Sequence, residues 1–397
     1  MVQPLLNFIE FDSFFTIVCN FGAMRIGINT RFLLSSKMEG FGWYTYEVVK
    51  RMVEAHPEHE FVFFFDRPFD QKFVFGKNVT PVVLFPPARH PLLFVWWFEY
   101  SIRKALKKYN IDVFYSPDGY LSLKSPVPQI GVIHDLNFEH HPDDIPKSPL
   151  KYLRKYFPKF AKKATHILTV SDYSKQDIMK SYGISPSKIT TAWNGASESF
   201  VPLNAEEIQK IRGEQTDGRP YFIFVGAIHP RKNVGRLIEA FGKFAAVNPD
   251  IDLLIVGESL WSNKASSIPE VSEELKKRIL FSGHVSLQQL NQLMGAAFAL
   301  TYIPYFEGFG IPLVEAMRCG IPIISGNLTC LPEVAGEAAI YVNPFDTDEV
   351  SKAMIYLASD EQKQTELAAR SLERSTLFSW DYTAKATWNV ISEVSEL

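Results

Sequence analysis

The chain has 397 residues, of which 46% are hydrophobic and 21% are charged, and its formal net charge is −3. This length predicts roughly two or three domains of about 150 residues each, and the near-neutral charge argues against a nucleic-acid partner. The three cysteines, Cys19, Cys319 and Cys330, lack the spacing of a metal site, so we expect a reducing, cytoplasmic compartment.

The first 23 residues are apolar, but they contain Glu10 and Asp12 and no basic residue, a composition unlike that of a signal peptide. No stretch of the sequence has the length and apolarity of a transmembrane helix. The first convincing strand begins near Met24, so residues 1–23 are predicted to be an extension that is not part of the fold.

From there, short apolar runs alternate with longer amphipathic stretches. The first series predicts strands at 26–32, 61–65, 113–116, 130–134, 166–170 and 189–193, with helices at 41–55, 92–108, 148–163 and 172–182. The second series predicts strands at 221–227, 251–256, 279–282, 298–303, 321–324 and 339–342, with helices at 233–246, 268–277, 286–295, 312–319 and 347–358.

Fully apolar strands that alternate with helices are typical of parallel sheets covered on both faces. The polar stretch at about 201–219 is predicted to separate the two series. We therefore predict an α/β protein with two Rossmann-like, doubly wound domains that face each other across a cleft, at residues 24–200 and 201–379. The last segment, 380–397, is predicted to be a helix that packs back on the first domain.

The loop after the first strand reads EGFG, and Gly40 and Gly42 lack the third glycine of a dinucleotide-binding fingerprint. A close backbone approach to a ligand and a plain tight turn both remain open. In IGVIHDL, His134 and Asp135 follow a strand, at the edge where doubly wound sheets bind ligands. A structural histidine is the alternative there.

The loop that opens the second series carries two cations beside a predicted helix start. Gly226 ends a buried strand, and Arg231 and Lys232 immediately precede Asn233, a predicted N-cap. A helix N-terminus attracts anions, so this loop is predicted to bind a phosphate or diphosphate. Two solvated surface charges are the alternative, and no phosphate-binding P-loop sequence is present.

A second EGFG occurs at Glu307–Gly310 and continues as IPLVEAM, which gives an E-x7-E spacing between Glu307 and Glu315. Gly308 and Gly310 would let backbone amides approach a ligand, and Glu315 is predicted to lie in the first turn of the following helix. Two carboxylates near one helix start suit a ligand with several hydroxyls. Helix capping and solvated charge are the alternative.

Two acidic or polar motifs are predicted to be helix caps. Ser286 and Gln289 form a capping box after Gly283 and His284. The D-x-D at 346–348 follows a proline and begins a helix, so we interpret Asp346 as an N-cap and expect no metal site.

Two basic stretches rich in aromatic residues, 94–110 and 151–166, lie in the first predicted domain. Such helices can lie on an anionic membrane surface. Buried aromatic side chains with a solvated basic face are the alternative.

Together, the motifs GFGWYTYE, VIHDL, TVSDYSKQDI, FVGAIHPRKN and FEGFGIPLVEAMRCGIPII resemble the retaining glycosyltransferases of family four over roughly residues 24–395. The resemblance implies the glycosyltransferase-B fold. It implies metal-independent transfer of a hexose, mannose or similar, from a GDP- or UDP-linked sugar to a lipid-linked glycan acceptor. The product would be a cell-surface polysaccharide or lipopolysaccharide, made at the inner face of the membrane. No cofactor and no metal are expected.

The resemblance also implies the roles of individual residues. The implied catalytic residues are His134, Arg231, Lys232 and Glu307. The implied donor site contains these cations and Glu307 and, in addition, Gly42, Gly226, Gly283, His284, Val285, Gly308, Phe309, Gly310, Ile311 and Glu315. Within it, Glu315 would hold the ribose, Glu307 the transferred sugar, and Arg231 and Lys232 the diphosphate.

Two other functions remain open on the same architecture. A nucleotide-sugar epimerase would interconvert free nucleotide sugars without an acceptor, and a non-catalytic protein would bind a nucleotide sugar without turnover.

Overall fold

The computed structural model describes residues 22–35, 38, 40–258 and 269–396. The predicted N-terminal extension, apart from residues 22 and 23, lies outside the described residues.

Seven parallel strands form the first sheet, in the order β3-β2-β1-β4-β5-β6-β7. The strands are β1 Arg25–Asn29, β2 Glu60–Phe65, β3 Val79–Val83, β4 Val113–Ser116, β5 Gln129–Val132, β6 His166–Thr169 and β7 Ile189–Thr191. The helices that cover them are α1 Gly40–Ala55, α2 Pro91–Trp96, α3 Arg103–Lys108, α4 Asn137–His140, α5 Lys147–Lys163 and α6 Asp172–Tyr182.

Six parallel strands form the second sheet, in the order β10-β9-β8-β11-β12-β13. After α7 Ala205–Thr216, the strands are β8 Tyr221–Val225, β9 Asp252–Val256, β10 Ile279–Gly283, β11 Ala299–Tyr302, β12 Ile323–Gly326 and β13 Ala339–Val342. The helices are α8 Val234–Ala245, α9 Glu273–Lys276, α10 Leu287–Gly295, α11 Ile311–Arg318, α12 Leu331–Ala335, α13 Thr347–Ser359, α14 Glu361–Ser375 and α15 Trp380–Ser395.

The α/β prediction of two Rossmann-like domains is confirmed. All five residues of β8 and of β9 are buried, as expected for strands covered on both faces. In each sheet the strand order reverses at one point, between β1 and β4 and between β8 and β11. Doubly wound sheets bind ligands at such switch points, outside the carboxyl ends of the strands. The loops that follow β8 and β11 therefore meet at one position.

Helix α15 follows the second domain in sequence but packs against the first. Its Trp380 ring lies 6.1 Å from the ring of Tyr44, and Trp388 stacks on His56 at 3.6 Å between ring centroids. Arg51 on α1 also forms an ion pair with Asp381. Through these contacts, α15 packs on the first domain, as predicted.

Several predicted elements were wrong in detail. The stretch at 201–219, interpreted as a linker, contains α7, whose start is fixed by a capping box between Asn204 and Glu207. Strand β3, helix α12 and helix α14 were not predicted, and the helix predicted at 268–277 is only the short α9 in the described residues. The helix predicted at 92–108 is continuous, but a π-helical segment, Trp97–Ile102, joins α2 to α3.

No helix among the described residues is long and apolar enough to cross a lipid bilayer.

Candidate active site

The loops after β8 and β11 bring three charged side chains together. Arg231 Nη1 and Lys232 Nζ lie 2.6 Å and 2.5 Å from the same atom, Oε1 of Glu307. The adjacency of β8 and β11 at the switch point explains why residues about 75 positions apart in sequence meet there. Lys232 Nζ also donates a hydrogen bond to the hydroxyl of Tyr302, at 2.8 Å.

This charged triad, which we define as Arg231, Lys232 and Glu307, is largely removed from solvent: the three side chains are 24%, 13% and 8% exposed. Burial disfavours the ionised form of Glu307, but the attraction of the two cations outweighs it and lowers the pKa of this carboxyl to about 2. The carboxylate is therefore ionised at neutral pH. The triad itself has two cations and one carboxylate, and Asp135 is a further carboxylate that attracts both cations.

Glycines line the carboxyl edge of the second sheet beside the triad. Gly226, Gly257 and Gly283 follow or end three neighbouring strands, and all three have positive φ angles, of 146°, 141° and 67°. A Cβ on Gly257 would lie 2.0 Å from the Gly226 carbonyl oxygen, and one on Gly226 would contact the Lys232 side chain at 3.8 Å. Gly257 was not predicted to be a site residue, although its place at a strand end was a usable signal.

Gly308 contacts the first domain. A Cβ at this position would lie 2.1 Å from the carbonyl oxygen of His134, so only glycine permits the approach. We predicted that this glycine lets backbone approach a ligand; the contact that the structure shows at Gly308 is between the two domains. The contact brings the loop that carries Glu307 against the strand end that carries His134.

His134 is oriented by three neighbours. Its Nε2 lies 2.8 Å from the carbonyl oxygen of Pro117, which can only accept, so Nε2 carries the proton. The rings of Phe41 and Tyr44 contact the imidazole edge-on, each at 4.8 Å. Burial lowers the pKa of His134, so the ring is neutral at neutral pH and its Nδ1 is an acceptor.

Glu315 is the fifth residue of α11, so it lies in the second turn, and the prediction of a first-turn position was wrong. Helix α11 begins one residue after Gly310, which has a φ of 90° and marks its start. Burial raises the pKa of Glu315 to about 7. Its carboxylate has no hydrogen-bond or ion-pair partner among the residues that the structure describes. A ligand that donates hydrogen bonds would satisfy it.

The remaining predicted donor-site residues lie on other elements of the two domains. Gly42 packs against the first domain itself, since a Cβ there would lie 2.7 Å from the Phe32 carbonyl oxygen. Phe309 is buried, with its ring 5.7 Å from that of Phe378. Ile311 is the first residue of α11. Three others lie at the end of β10 or directly after it, two strands from β8: Gly283, His284 and Val285.

The D-x-D is a helix cap, as predicted. One carboxylate oxygen of Asp346 accepts hydrogen bonds from the backbone N–H groups of Asp348 and Glu349, at 2.9 Å and 3.0 Å. Asp348 pairs with Lys243. The predicted capping box of Ser286 and Gln289 is also present. The side chain of Asn233 does not cap α8; it donates to the backbone carbonyls of Ile303 and Pro344 instead.

At the opposite end of the first domain, His56, Glu58 and His59 have side-chain atoms close enough to share a metal ion. The structure argues against such a site. His59 Nδ1 accepts a hydrogen bond from the Met24 backbone N–H at 3.1 Å, so the proton of the neutral ring is on Nε2. Nε2 is the atom that faces Glu58, and it then has no lone pair for a metal.

Two family models match, and together they span most of the chain. Residues 38–200 match the family described as "Glycosyltransferase Family 4", and residues 205–374 match "Glycosyl transferases group 1". The chain belongs to glycosyltransferase family four. It is therefore a glycosyltransferase, and the two matches correspond to its two sheets.

Two relatives of this glycosyltransferase are named as O-antigen chain mannosyltransferases. It is 27% identical to "O-antigen chain mannosyltransferase B" of Escherichia coli, over 89% of this chain and 95% of the relative. It is 35% identical to "O-antigen chain mannosyltransferase RfbU" of Salmonella typhimurium, over 54% of this chain and 56% of the relative.

Among solved structures, Alr3699/HepE of Anabaena, in complex with UDP and glucose, superposes with a TM-score of 0.72. It is 17% identical, over 93% of this chain and 99% of that protein. At this identity the similarity concerns the fold, which is glycosyltransferase-B.

Proposed function

We propose that this glycosyltransferase is a retaining enzyme that moves mannose or a similar hexose from a GDP- or UDP-linked donor to a lipid-linked glycan. The product would be a cell-surface polysaccharide or lipopolysaccharide. The observation that carries the proposal is the charged triad at the switch point of the second sheet. The O-antigen mannosyltransferases support the choice of sugar and product, and the HepE complex with UDP supports a nucleotide-linked donor.

Arg231 and Lys232 would stabilise the leaving group. When the bond between the sugar and the diphosphate breaks, the electron pair goes to the phosphate oxygen, and negative charge develops there. In the proposed retaining reaction, the acceptor hydroxyl attacks the same face of the sugar, and its proton passes to the departing phosphate. The protein supplies both positive charges from fixed positions, so we propose that no metal is required.

Glu307 and His134 would position the transferred sugar. The two cations contact Glu307 Oε1, and Oε2 would accept hydrogen bonds from sugar hydroxyls. The neutral His134, with its proton held by the Pro117 carbonyl, would accept a further one at Nδ1. Because Gly308 brings the Glu307 loop against His134, both acceptors would reach the same sugar.

The test is nucleotide release from a panel of GDP- and UDP-sugars, with EDTA and a lipid acceptor extract present. We expect one nucleotide to be released in EDTA, because the charged triad replaces a metal. Nuclear magnetic resonance of the product should show the anomeric configuration of the donor.

Other results would contradict parts of this proposal. Release only after addition of Mg²⁺ or Mn²⁺ would refute metal independence. Conversion of the free nucleotide sugar without acceptor would indicate an epimerase. A melting-temperature shift with GDP or UDP but no turnover with any donor would indicate a binding protein.

We also propose that the enzyme is cytoplasmic and binds the inner face of the membrane through its first domain. An exposed apolar surface consists of Phe85, Leu92, Trp96 and Tyr100, which are 82%, 75%, 55% and 57% exposed. The Trp96 and Tyr100 rings are 5.0 Å apart, and the Ser101 hydroxyl donates to the Phe85 carbonyl, so these residues share one surface. Exposed cations adjoin it in sequence: Arg89, Arg103 and Lys104.

The second basic stretch differs from the first. On α5, Tyr152, Phe157 and Phe160 are buried in the domain core. This helix therefore offers mainly its cations to an anionic surface, whereas the first stretch can also insert strongly exposed apolar side chains.

The double variant Leu92→Ser and Trp96→Ser should bind vesicles containing anionic phospholipid about tenfold or more weakly than the wild-type enzyme, because it loses most of the inserted apolar area. Vesicle co-sedimentation measures this binding. Tyr382→Ser removes an aromatic residue that is 55% exposed on α15, and serves as the control. Equal binding by all three proteins would eliminate the proposed membrane surface.

A further inference from the structure

The first turn of α6 contacts both domains. Ser171, which precedes α6 and is fully buried, donates a hydrogen bond to the Gly308 carbonyl at 2.7 Å. Ser174 donates from the same turn to the His134 carbonyl at 3.1 Å, with the Gly308 carbonyl at 3.3 Å. The motif TVSDYSKQDI therefore places two hydroxyl groups between the glycine loop of the second domain and the strand end of the first.

A carboxylate from the second domain caps the same turn. Glu333, on α12, accepts hydrogen bonds from the backbone N–H groups of Asp172 and Tyr173 at 2.8 Å and 2.9 Å. It accepts a third from the indole N–H of Trp193 at 2.8 Å. The N–H of Ser174 is in turn satisfied by the Ser171 hydroxyl, at 3.0 Å. The first N–H groups of α6 thus depend in part on the second domain, and they would lose partners if the domains separated.

The Gly308 and Glu333 partners need the domains closed, whereas the bond from Ser174 to the His134 carbonyl lies within the first domain. The Gly308 carbonyl belongs to the residue next to Glu307, and the His134 carbonyl to a residue that we propose binds the same sugar. Without its serine, the Gly308 carbonyl would be buried and unpaired in the closed form, which is costly. Opening the cleft would remove the serine bonds to the Gly308 carbonyl and the Glu333 cap together.

We propose that Ser171, Ser174 and Glu333 are positioning residues that form a latch between the domains, so that closure and the placement of Glu307 beside His134 are one event. The expected loss of kcat rests on the proposed transfer reaction, whereas the contact between the domains does not. The nucleotide would be held by the second domain alone, so the latch should affect the chemical step and not nucleotide affinity.

The experiment compares the full-length enzyme with the double variant Ser171→Ala, Ser174→Ala. Both hydroxyl groups that face the Gly308 carbonyl are lost and leave it buried and unpaired in the closed form, so we expect kcat to fall about 5- to 100-fold while the Kd for the donor's nucleotide stays within about twofold. Small-angle X-ray scattering of the ligand-free protein should show a larger radius of gyration, which a merely local defect would not produce.

Controls separate the latch from loss of a helix cap. Asn204→Ala removes the exposed cap of α7, which bonds only within its own helix start, and should change neither kcat nor the radius of gyration. If the serine variant does not fold, Glu333→Gln replaces a three-bond acceptor with a neutral amide, and should show the same pattern.

An unchanged kcat with an unchanged radius of gyration in the serine variant or in Glu333→Gln would overturn the latch. So would a loss of kcat that is matched by an equal loss of nucleotide affinity. The wild-type enzyme could fail to transfer sugar from any donor while the variants still have a larger radius of gyration. That result would refute the proposed function but support the latch between the domains.

Discussion

Replacing Lys232 with alanine should lower kcat about 10²- to 10³-fold and change nucleotide affinity much less, since one fixed donor to a developing oxyanion contributes about this much. The charge on the leaving diphosphate grows as the bond to the sugar breaks, so the cation matters most in the transition state. Lys232 Nζ lies at the end of a largely buried side chain, where its field is screened less than at a surface. Steady-state kinetics with nucleotide titration measures both quantities.

The fold should survive this change. Arg231 still pairs with Glu307 in the variant, so the buried carboxylate keeps a cationic partner. Lys243→Ala, which removes an exposed cation that pairs with Asp348 on α13, is the matched control and should retain full activity. A kcat equal to that of the wild-type enzyme would refute the role of Lys232 in the departure of the diphosphate.

All three members of the triad were predicted from the sequence to be site residues, but their ion pairs with one another were not predicted. Arg231 and Lys232 were predicted to bind a diphosphate and Glu307 a sugar, as separate contacts. In the structure they bind one another, because β8 and β11 are neighbours at the switch point. Strand order within a parallel sheet cannot be obtained from hydrophobic periodicity. The contact of Arg231 and Lys232 with Glu307 could therefore be found only from the structure. Tyr302, which ends β11 and bonds Lys232, was missed for the same reason.

The missed secondary structure has local causes. Strand β3 contains Pro81, and a proline argues against a strand in a sequence-based prediction. However, β3 is an edge strand, where a missing backbone N–H is tolerated. Helix α7 was missed because its composition is polar, although Asn204 and Glu207 have capping-box spacing. Helix α15 was predicted almost to the residue, since its apolar face is periodic and Ser379 caps it.

Contacts between domains were the least predictable. Nothing local in TVSDYSKQDI indicates that Ser171 bonds a residue 137 positions away. The glycine at 308 could equally have faced a ligand, and only the position of the His134 carbonyl decides what it approaches.

The variant Glu315→Gln should make the free protein more stable and its nucleotide binding weaker. In the wild-type protein, burial without a partner raises the pKa of Glu315 to about 7 from its ordinary value of 4.5. The folded state therefore binds this proton more tightly than the unfolded state, and the free energy of unfolding falls as pH rises from about 4.5 to about 7. Glutamine cannot ionise, so it avoids a penalty of up to about 3 kcal/mol at pH 8. Thermal melts at pH 4.5 and pH 8 should show equal stability at the lower pH and a more stable variant at the higher one.

Glu315→Gln should weaken nucleotide binding, although it makes the free protein more stable. Only the ionised carboxylate can accept from both ribose hydroxyls, so wild-type affinity should rise with pH up to about 7 and then level off. One charged hydrogen bond contributes about 1.5–3 kcal/mol, so Glu315→Gln should bind nucleotide about 10- to 100-fold more weakly at pH 8, with little pH dependence. Glu349→Gln, at an exposed position on α13, is the control for loss of a carboxylate. A Glu315→Gln protein that gained stability but kept wild-type affinity would mean that this partly buried acid does not bind the ribose. A stabilised protein with weakened binding would mean that the fold gives up stability to keep a carboxylate ready for the donor.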